Sequence, residues 1–293
     1  MPNKKILITG GAGFVGTNLI KFLLKKTNYK IISIDNYSSG NKKNHVKNSR
    51  VKYLKGETVN IYKLIKRPKE IKTIFHFGEF ARIYQSFLKM NECISSNSIG
   101  SNAIFNFCLK NKIKLIYSAT SATLGNKGDD KNLSPYAFSK AKNLELLENL
   151  KKWFNFKYEV IYFYNVYGPH QICKGQMSTV IGIFEDHYKR KKPLPVVKPG
   201  SQTRRFTHID DTIQVCYLAW KKNLSRHYSV TNKKSYSILE VAKMFKSKLK
   251  FLPKRAGERY ASALIKKNLS NKVYQNYGKI NLKDYIYNFI NNN

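Results

Sequence analysis

The chain has 293 residues, 42% of them hydrophobic, enough for one large α/β domain or two joined ones with an ample core. No apolar run approaches the ~20 residues needed to span a bilayer, which excludes an α-helical membrane protein. The formal charge is +37, but only nine of the 54 basic residues are Arg and the lysines are spread through every segment. That is a bias of composition rather than a nucleic-acid face, although such a field would attract a dianionic ligand.

In chain order, "KKILITG" (4–10) is a short apolar run ending in glycine and predicts a buried strand. The opening "MPNKKILITGG" has its apolar run broken by glycine too early for a signal peptide, so a cytoplasmic location is expected. "GFVGTNLIKFLLKK" follows with helical periodicity, then "YKIISID" (29–35), "VKYLKG" (51–56) and "KTIFHFG" (72–78) as strands. Residues 91–111 read as one long helix with Ile94, Ile99, Ile104, Phe107 and Cys108 on its apolar side. "IKLIYSAT" (113–120) is a fifth strand, a helix opens near Pro135, and "YEVIYFYNVYG" (158–168) is a sixth strand. Strands alternating with helices imply right-handed crossovers and a doubly wound parallel sheet of the Rossmann type.

After Gly168 the rhythm changes. A stretch punctuated by Pro and Gly gives way to helix-like segments near 210–221, 237–247 and 282–291, separated by short strands. The expected organisation is a dinucleotide-binding domain over 1–168 and a smaller substrate-binding α/β region over 169–293, interleaved with the first. The four cysteines form no CxxC pair and read as reduced thiols. No metal site is read.

"TGGAGFVG" places Gly10, Gly13, Phe14, Val15 and Gly16 between the first strand and the first helix. Glycines there permit a tight turn and let the backbone approach a pyrophosphate at the helix N-terminus. Asp35 ends the second strand 19 residues past Gly16, where a carboxylate would accept bonds from ribose hydroxyls and repel a 2′-phosphate. NAD is therefore the expected cofactor; Lys42 and Lys43 nearby leave NADP as the alternative.

In "SPYAFSKAKN", Tyr136 stands four residues before Lys140, about one helical turn. A free phenol with a pKa of about 10 is a poor base at neutral pH; bringing it near 7 needs about 4 kcal/mol of preferential phenolate stabilisation. A lysine one turn away supplies part of that, and the positive nicotinamide ring more. The expectation is that Tyr136 is the acid/base and that Lys140 lowers its pKa.

The glycine spacing GxxGxxG with "PYAFSK" downstream resembles the extended short-chain dehydrogenase/reductase family, specifically its nucleotide-sugar epimerases. The resemblance runs over nearly the whole chain, through "HFGE", "SATSATLG", "YNVYGP", "SQTRRF" and "KRAGE". It implies a catalytic hydroxyl at Thr120, five residues before Gly125, and a nicotinamide ribose held by Lys140. It implies Asn36 and Glu57 at the adenosine end, Asn97 behind the cofactor site and Phe163 beside the nicotinamide. Asn165, Arg204 and Arg255 would hold the substrate diphosphate, since guanidinium forms paired bonds to phosphate.

Related dehydratases carry acids after the catalytic hydroxyl, whereas this chain has Ser121 and Ala122. Epimerisation is therefore expected, of UDP-sugars most naturally. By the same resemblance Ser262, seven residues past Arg255, gates the N-acetyl group, and its small size admits it. The resemblance also implies a homodimer, built on the 91–111 and Tyr136 helices. Within the family, "NVYGPHQICKGQMST" resembles ADP-heptose 6-epimerase, with Lys174 at that enzyme's functional lysine. A non-catalytic NAD-binding regulator is the reading from another class.

Overall fold

A computed structural model describes residues 4–124, 130–222, 227–257 and 273–293. The apolar runs form β1 (Lys5–Thr9), β2 (Lys30–Asp35), β3 (Val51–Lys55), β4 (Ile71–His76), β5 (Lys114–Thr120) and β6 (Tyr158–Phe163). Between them lie α1 (Phe14–Lys26), α2 (Ile61–Leu64), α3 (Ile83–Leu88), α4 (Met90–Ile94), α5 (Ser101–Lys110) and α6 (Pro135–Phe154). The later strands are β7 (Val166–Tyr167), β8 (Leu194–Val197), β9 (Thr203–Arg205), β10 (Thr207–His208), β11 (His227–Thr231), β12 (Ser235–Ser237), β13 (Leu249–Leu252) and β14 (Val273–Tyr277). The later helices are α7 (Val180–Lys189), α8 (Ile209–Lys222), α9 (Ile238–Met244) and α10 (Leu282–Asn291).

Eight strands form one parallel sheet in the order β14-β11-β6-β5-β4-β1-β2-β3. Side chains alternate between its faces, as the period of two requires. Ile6 and Ile8 pack with Ile116, Ile161 and α8 on one face; Leu7 packs with Leu115, Tyr117 and α5 on the other. Both faces are covered, which is why the strands read as continuous apolar runs. A separate apolar cluster, with Phe184, Val196, Phe206 and Phe245, holds α7, α9 and α10 together.

Segments beyond Gly168 return to the large sheet: β11 pairs with β6, and β14 pairs with β11. Helix α8, which precedes β11, buries Ile213, Cys216 and Trp220 beneath the N-terminal strands. The Trp220 indole donates to Thr73 Oγ1 on β4 at 3.0 Å.

Three sequence expectations are corrected. The helix expected over 91–111 is interrupted by a π-helical turn, Ser95–Gly100. That turn resets the phase, so Asn97 and Gly100 face inward while Ile99, expected on the apolar side, is exposed. The sixth strand stops at Phe163, because Asn165 takes a positive φ of 30° and its side chain donates to the Arg205 carbonyl at 3.0 Å. Helix α7 was not expected; Thr179 caps it by accepting from the Gly182 N–H at 3.0 Å.

Candidate active site

The turn after β1 is shaped by what its glycines lack. Gly10 sits at φ +71°, and a Cβ on Gly16 would lie 2.2 Å from the Gly10 carbonyl oxygen. Gly13 differs: a Cβ there would meet only that same oxygen, at 3.2 Å. Its other side is open, and no side chain caps α1 at Gly13. The first-turn N–H groups of α1 therefore face free space, the arrangement that receives a phosphate. Asp35 shapes the loop as well. Its Oδ2 accepts the Ala12 N–H at 2.9 Å and its Oδ1 the Tyr37 N–H at 2.8 Å, while burial raises its pKa above the usual aspartate value.

One crevice runs from this loop across the C-terminal ends of the strands. That position is where open α/β sheets bind ligands. Gly10, Gly13, Phe14, Val15, Gly16, Asp35, Asn36, Glu57, Tyr136, Lys140 and Phe163 all line it. Asn36 donates to the Glu57 carboxylate at 3.2 Å, so two acids, Asp35 and Glu57, stand at the glycine-loop end of the crevice. The open glycine cradle and these carboxylates fit a dinucleotide without a 2′-phosphate.

At the other end, α6 presents the chemistry. Ser134 caps this helix, accepting from the Ala137 N–H at 3.1 Å, and Pro135 occupies its first turn. Tyr136 and Lys140 follow one turn apart, both buried. The Tyr136 N–H, orphaned at a helix start, donates to Ser86 Oγ at 3.2 Å. The phenol shares a side-chain hydrogen bond with Thr120, at the end of β5. Asn97 sits behind, fully buried, accepting from the Phe80 N–H at 2.7 Å and donating to the Phe80 carbonyl at 3.0 Å. It thereby fixes the segment that lines the crevice.

The expected acidification of Tyr136 by Lys140 is not found in the protein alone. Burial pushes the phenol up to about 12; the Thr120 hydrogen bond opposes the rise and the Glu79 carboxylate adds to it. Lys140 is engaged elsewhere. Its ammonium donates to Glu79 Oε2 and to the Ser118 carbonyl, and to the Tyr117 hydroxyl at 3.3 Å. Burial lowers the Lys140 pKa, and Glu79 works against that.

Glu79 and Arg82 were missed as site residues. Both follow His76 at the C-terminal end of β4, and both line the crevice. Their signal was position: a carboxylate in "HFGE" at a strand's C-terminal end, and one of few arginines in a lysine-rich chain. The Arg82 guanidinium donates to the Met177 carbonyl at 2.9 Å through Nε and to the Ala81 carbonyl at 2.7 Å, tying the 169–179 segment across the crevice. Met177 and Lys174 line an adjoining cavity that shares Asn36, Glu57, Glu79 and Phe80 with the first.

The residues expected to hold substrate are less gathered. Asn165, Arg204 and Arg255 are not among the lining residues. Asn165 supports the strand break, and Arg204 donates to the neighbouring Thr203 carbonyl at 2.9 Å. Arg255 lies over the Tyr84 ring at 5.3 Å, two residues along from Arg82. Arg205 is half-buried and donates to the Asn232 carbonyl at 2.8 Å. Ser262 lies outside the described residues. Among the described residues, no helix is long and apolar enough to cross a membrane.

Comparison with known proteins agrees with this geometry. Residues 6–232 match the NAD dependent epimerase/dehydratase family. The chain is 29% identical over 259 residues to the ADP-L-glycero-D-manno-heptose-6-epimerase of Brachyspira hyodysenteriae, covering 82% of this chain and 80% of that protein. In fold it resembles the UDP-glucose 4-epimerase of Thermotoga maritima, solved with UDP-glucose, with a TM-score of 0.85 at 23% identity over 98% and 97% of the two chains. It also resembles the UDP-glucose 4-epimerase of Thermus thermophilus in complex with NAD, with a TM-score of 0.77 at 20% identity over 89% and 90%.

Proposed function

The chain belongs to the NAD-dependent epimerase/dehydratase family, and from that premise we propose that it is a nucleotide-sugar epimerase, inverting C4 of a UDP-hexose or UDP-N-acetylhexosamine through a transient ketone. One observation carries the reading. The glycine cradle and Tyr136 occupy the two ends of one crevice, Thr120 bonds to the Tyr136 phenol without itself lining that crevice, and the positions after Thr120 are Ser121 and Ala122, without the acid that an elimination needs. A carboxylate does line the crevice, but Glu79 is paired with the Lys140 ammonium.

The loop of Gly10, Gly13 and Gly16 would hold the NAD pyrophosphate, with Asp35 and Glu57 at the adenosine and Lys140 and Phe163 at the nicotinamide. Bound NAD supplies a reversible hydride acceptor. Tyr136 takes the sugar hydroxyl proton, Thr120 holds the same oxygen, and Tyr136 returns the proton as the alcohol re-forms with inverted configuration. Arg204, Arg255 and Asn165 would hold the diphosphate end, an anion that the +37 chain attracts from solution. Ser262, being small, leaves room for an N-acetyl group; equal turnover of both sugars by Ser262→Tyr would sink that assignment.

The experiment is to denature the purified chain, identify the released cofactor, and incubate native protein with UDP-, GDP-, dTDP- and ADP-sugars. NMR then reads which carbon inverts. Inversion at C4 of a UDP-sugar is expected; no inversion of any sugar would leave the reading without support. A second reading, inversion at C6 of an ADP-heptose, is favoured by the relative of 29% identity and by Lys174 lining the adjoining cavity. The same panel separates the two. A homodimer is also proposed, because Met90, Ile99 and Phe138 stand exposed on α4, the π-helical turn and α6. Sedimentation at the mass of one chain would exclude it.

A further inference from the structure

Glu79 takes no step in the proposed reaction, yet the acid/base residues are arranged around it. Its side chain is 2% exposed. One oxygen, Oε2, receives the Lys140 ammonium, and Ser118 Oγ approaches it at 3.5 Å. The other, Oε1, accepts from Ser101 Oγ at 2.8 Å, the Tyr117 hydroxyl at 3.0 Å and Asn143 Nδ2 at 3.3 Å.

The protons behind this cluster are all committed. Thr9 Oγ1 accepts the Phe77 and Gly78 N–H groups at 3.1 and 3.0 Å, so its own proton goes to His76 Nδ1 at 2.7 Å. His76 Nε2–H then donates to Ser101 Oγ at 2.9 Å, and the Ser101 proton points at Glu79. Each donor in this chain already points at its acceptor, and the chain ends on Glu79 Oε1. A buried ion pair of this kind is weak evidence for stability, since apolar residues of similar volume often serve the fold as well. Its placement between catalytic groups points to chemistry.

We propose that Glu79 is a positioning residue that holds the Lys140 ammonium as a neutral pair, withholds its charge from the Tyr136 phenol, and so leaves the phenol's ionisation to the arrival of oxidised cofactor. This rests on the reading of Tyr136 as the acid/base. The charged and titratable groups around the phenol are Glu79 and Cys93, which favour its protonated form, Arg82, which opposes them, and the Tyr117 phenol. Burial pushes the Cys93 thiol up to about 11, so it is uncharged at working pH. Around Lys140 stand Glu79, Cys93, Tyr117 and, through Ser101, His76, whose burial keeps it neutral at about 4.

The test needs no sugar. The full chain, carrying its cofactor, is labelled with tyrosine bearing ¹³C at the phenol carbon, and the Tyr136 resonance is assigned by its loss in Tyr136→Phe. Glu79→Gln keeps the shape and removes the charge, and should lower the pH of Tyr136 ionisation by about one unit or more. Glu79→Asp, which keeps the charge, should leave it within a few tenths of a unit. Removing the pair as a unit in Glu79→Gln/Lys140→Met should leave the phenol within about half a unit of wild type, because a neutral pair casts little net field. In the wild type, ionisation should occur at lower pH with the cofactor oxidised than reduced. An unmoved Tyr136 in Glu79→Gln, or a rise of a full unit or more in the double variant, overturns the proposal. The double variant leaves no buried charge unpaired, so it keeps the question open to measurement should the single variant fail to fold. Either outcome is independent of the sugar panel, which tests the epimerase reading by itself.

Discussion

The two ends of the crevice are built by opposite means. At the glycine loop, atoms are left out: a Cβ at Gly16 would strike the Gly10 carbonyl at 2.2 Å, and one at Gly13 would meet only that same oxygen, at 3.2 Å. At the Tyr136 end, atoms are crowded in: an ammonium, a carboxylate, two tyrosines and a histidine share buried space with nearly every polar atom bonded. The first end can only receive a ligand, because it offers backbone donors and room. The second is filled by its own side chains, with the Lys140 ammonium paired to Glu79 beside the Tyr136 phenol.

The sharpest break of this contrast is Tyr136→Phe. It removes only an oxygen, so bound cofactor should be retained, while turnover falls by about 10²–10⁴, the usual worth of a positioned acid/base. Wild-type turnover by this variant would make the crowded end a structural cluster and nothing more.

Acid should loosen the crowded end and spare the glycine loop. Burial holds His76, in the crowded end, at about 4, against an ordinary value near 6.5, and does the same for His227, which lies outside that end at the start of β11 against Tyr162. The unfolded chain therefore binds protons below about 6.5 while the folded chain does not, so stability falls as pH drops through that window, by roughly 3 kcal/mol per histidine at its lower edge. Urea midpoints at pH 7.5 and 4.5 measure this; equal midpoints would contradict it.

The glycine end is tested by a pair. Gly16→Ala should cost about 1–3 kcal/mol of stability as the loop shifts to escape the Gly10 carbonyl, and should weaken cofactor binding with it. Gly13→Ala should cost well under that while still abolishing tight cofactor binding, because its methyl enters the cradle. Similar stability losses for both would mean that the open space at Gly13 is not reserved for a ligand. The smallest effect belongs to Lys174, an exposed residue 3.6 Å from Asp186. Lys174→Ala should change stability by less than about 1 kcal/mol and leave UDP-sugar turnover unchanged. A large loss of turnover would favour the heptose reading.

The same contrast governs what the sequence disclosed. The glycine loop, Asp35 and the Tyr136–Lys140 spacing are local patterns, each within one loop or one helical turn, and they were legible with the six strands around them. What lay hidden depends on partners distant in the chain. Glu79 takes its meaning from Lys140, 61 residues away, and from Ser101, Tyr117 and Asn143. The end of β6 is set by Asn165 reaching Arg205. The π-helical turn places Asn97 against Phe80 and brings Gly100 so close to Thr58 that a Cβ would lie 2.3 Å from its hydroxyl, a fit between separate segments that no helical periodicity announces. The engagement of Lys140 by Glu79 was hidden for the same reason, since that neighbour comes from the loop after β4, 61 residues earlier.

The chain has two tryptophans, and their surroundings differ: Trp153 is 62% exposed on α6, while Trp220 is 6% exposed and bonded to Thr73. Because α8 belongs to the later half of the chain and β4 to the earlier, the emission of a Trp153→Phe variant reports one event alone, the seating of the late segment under the early strands. A single optical signal thus follows the step that joins the two halves, with no label added.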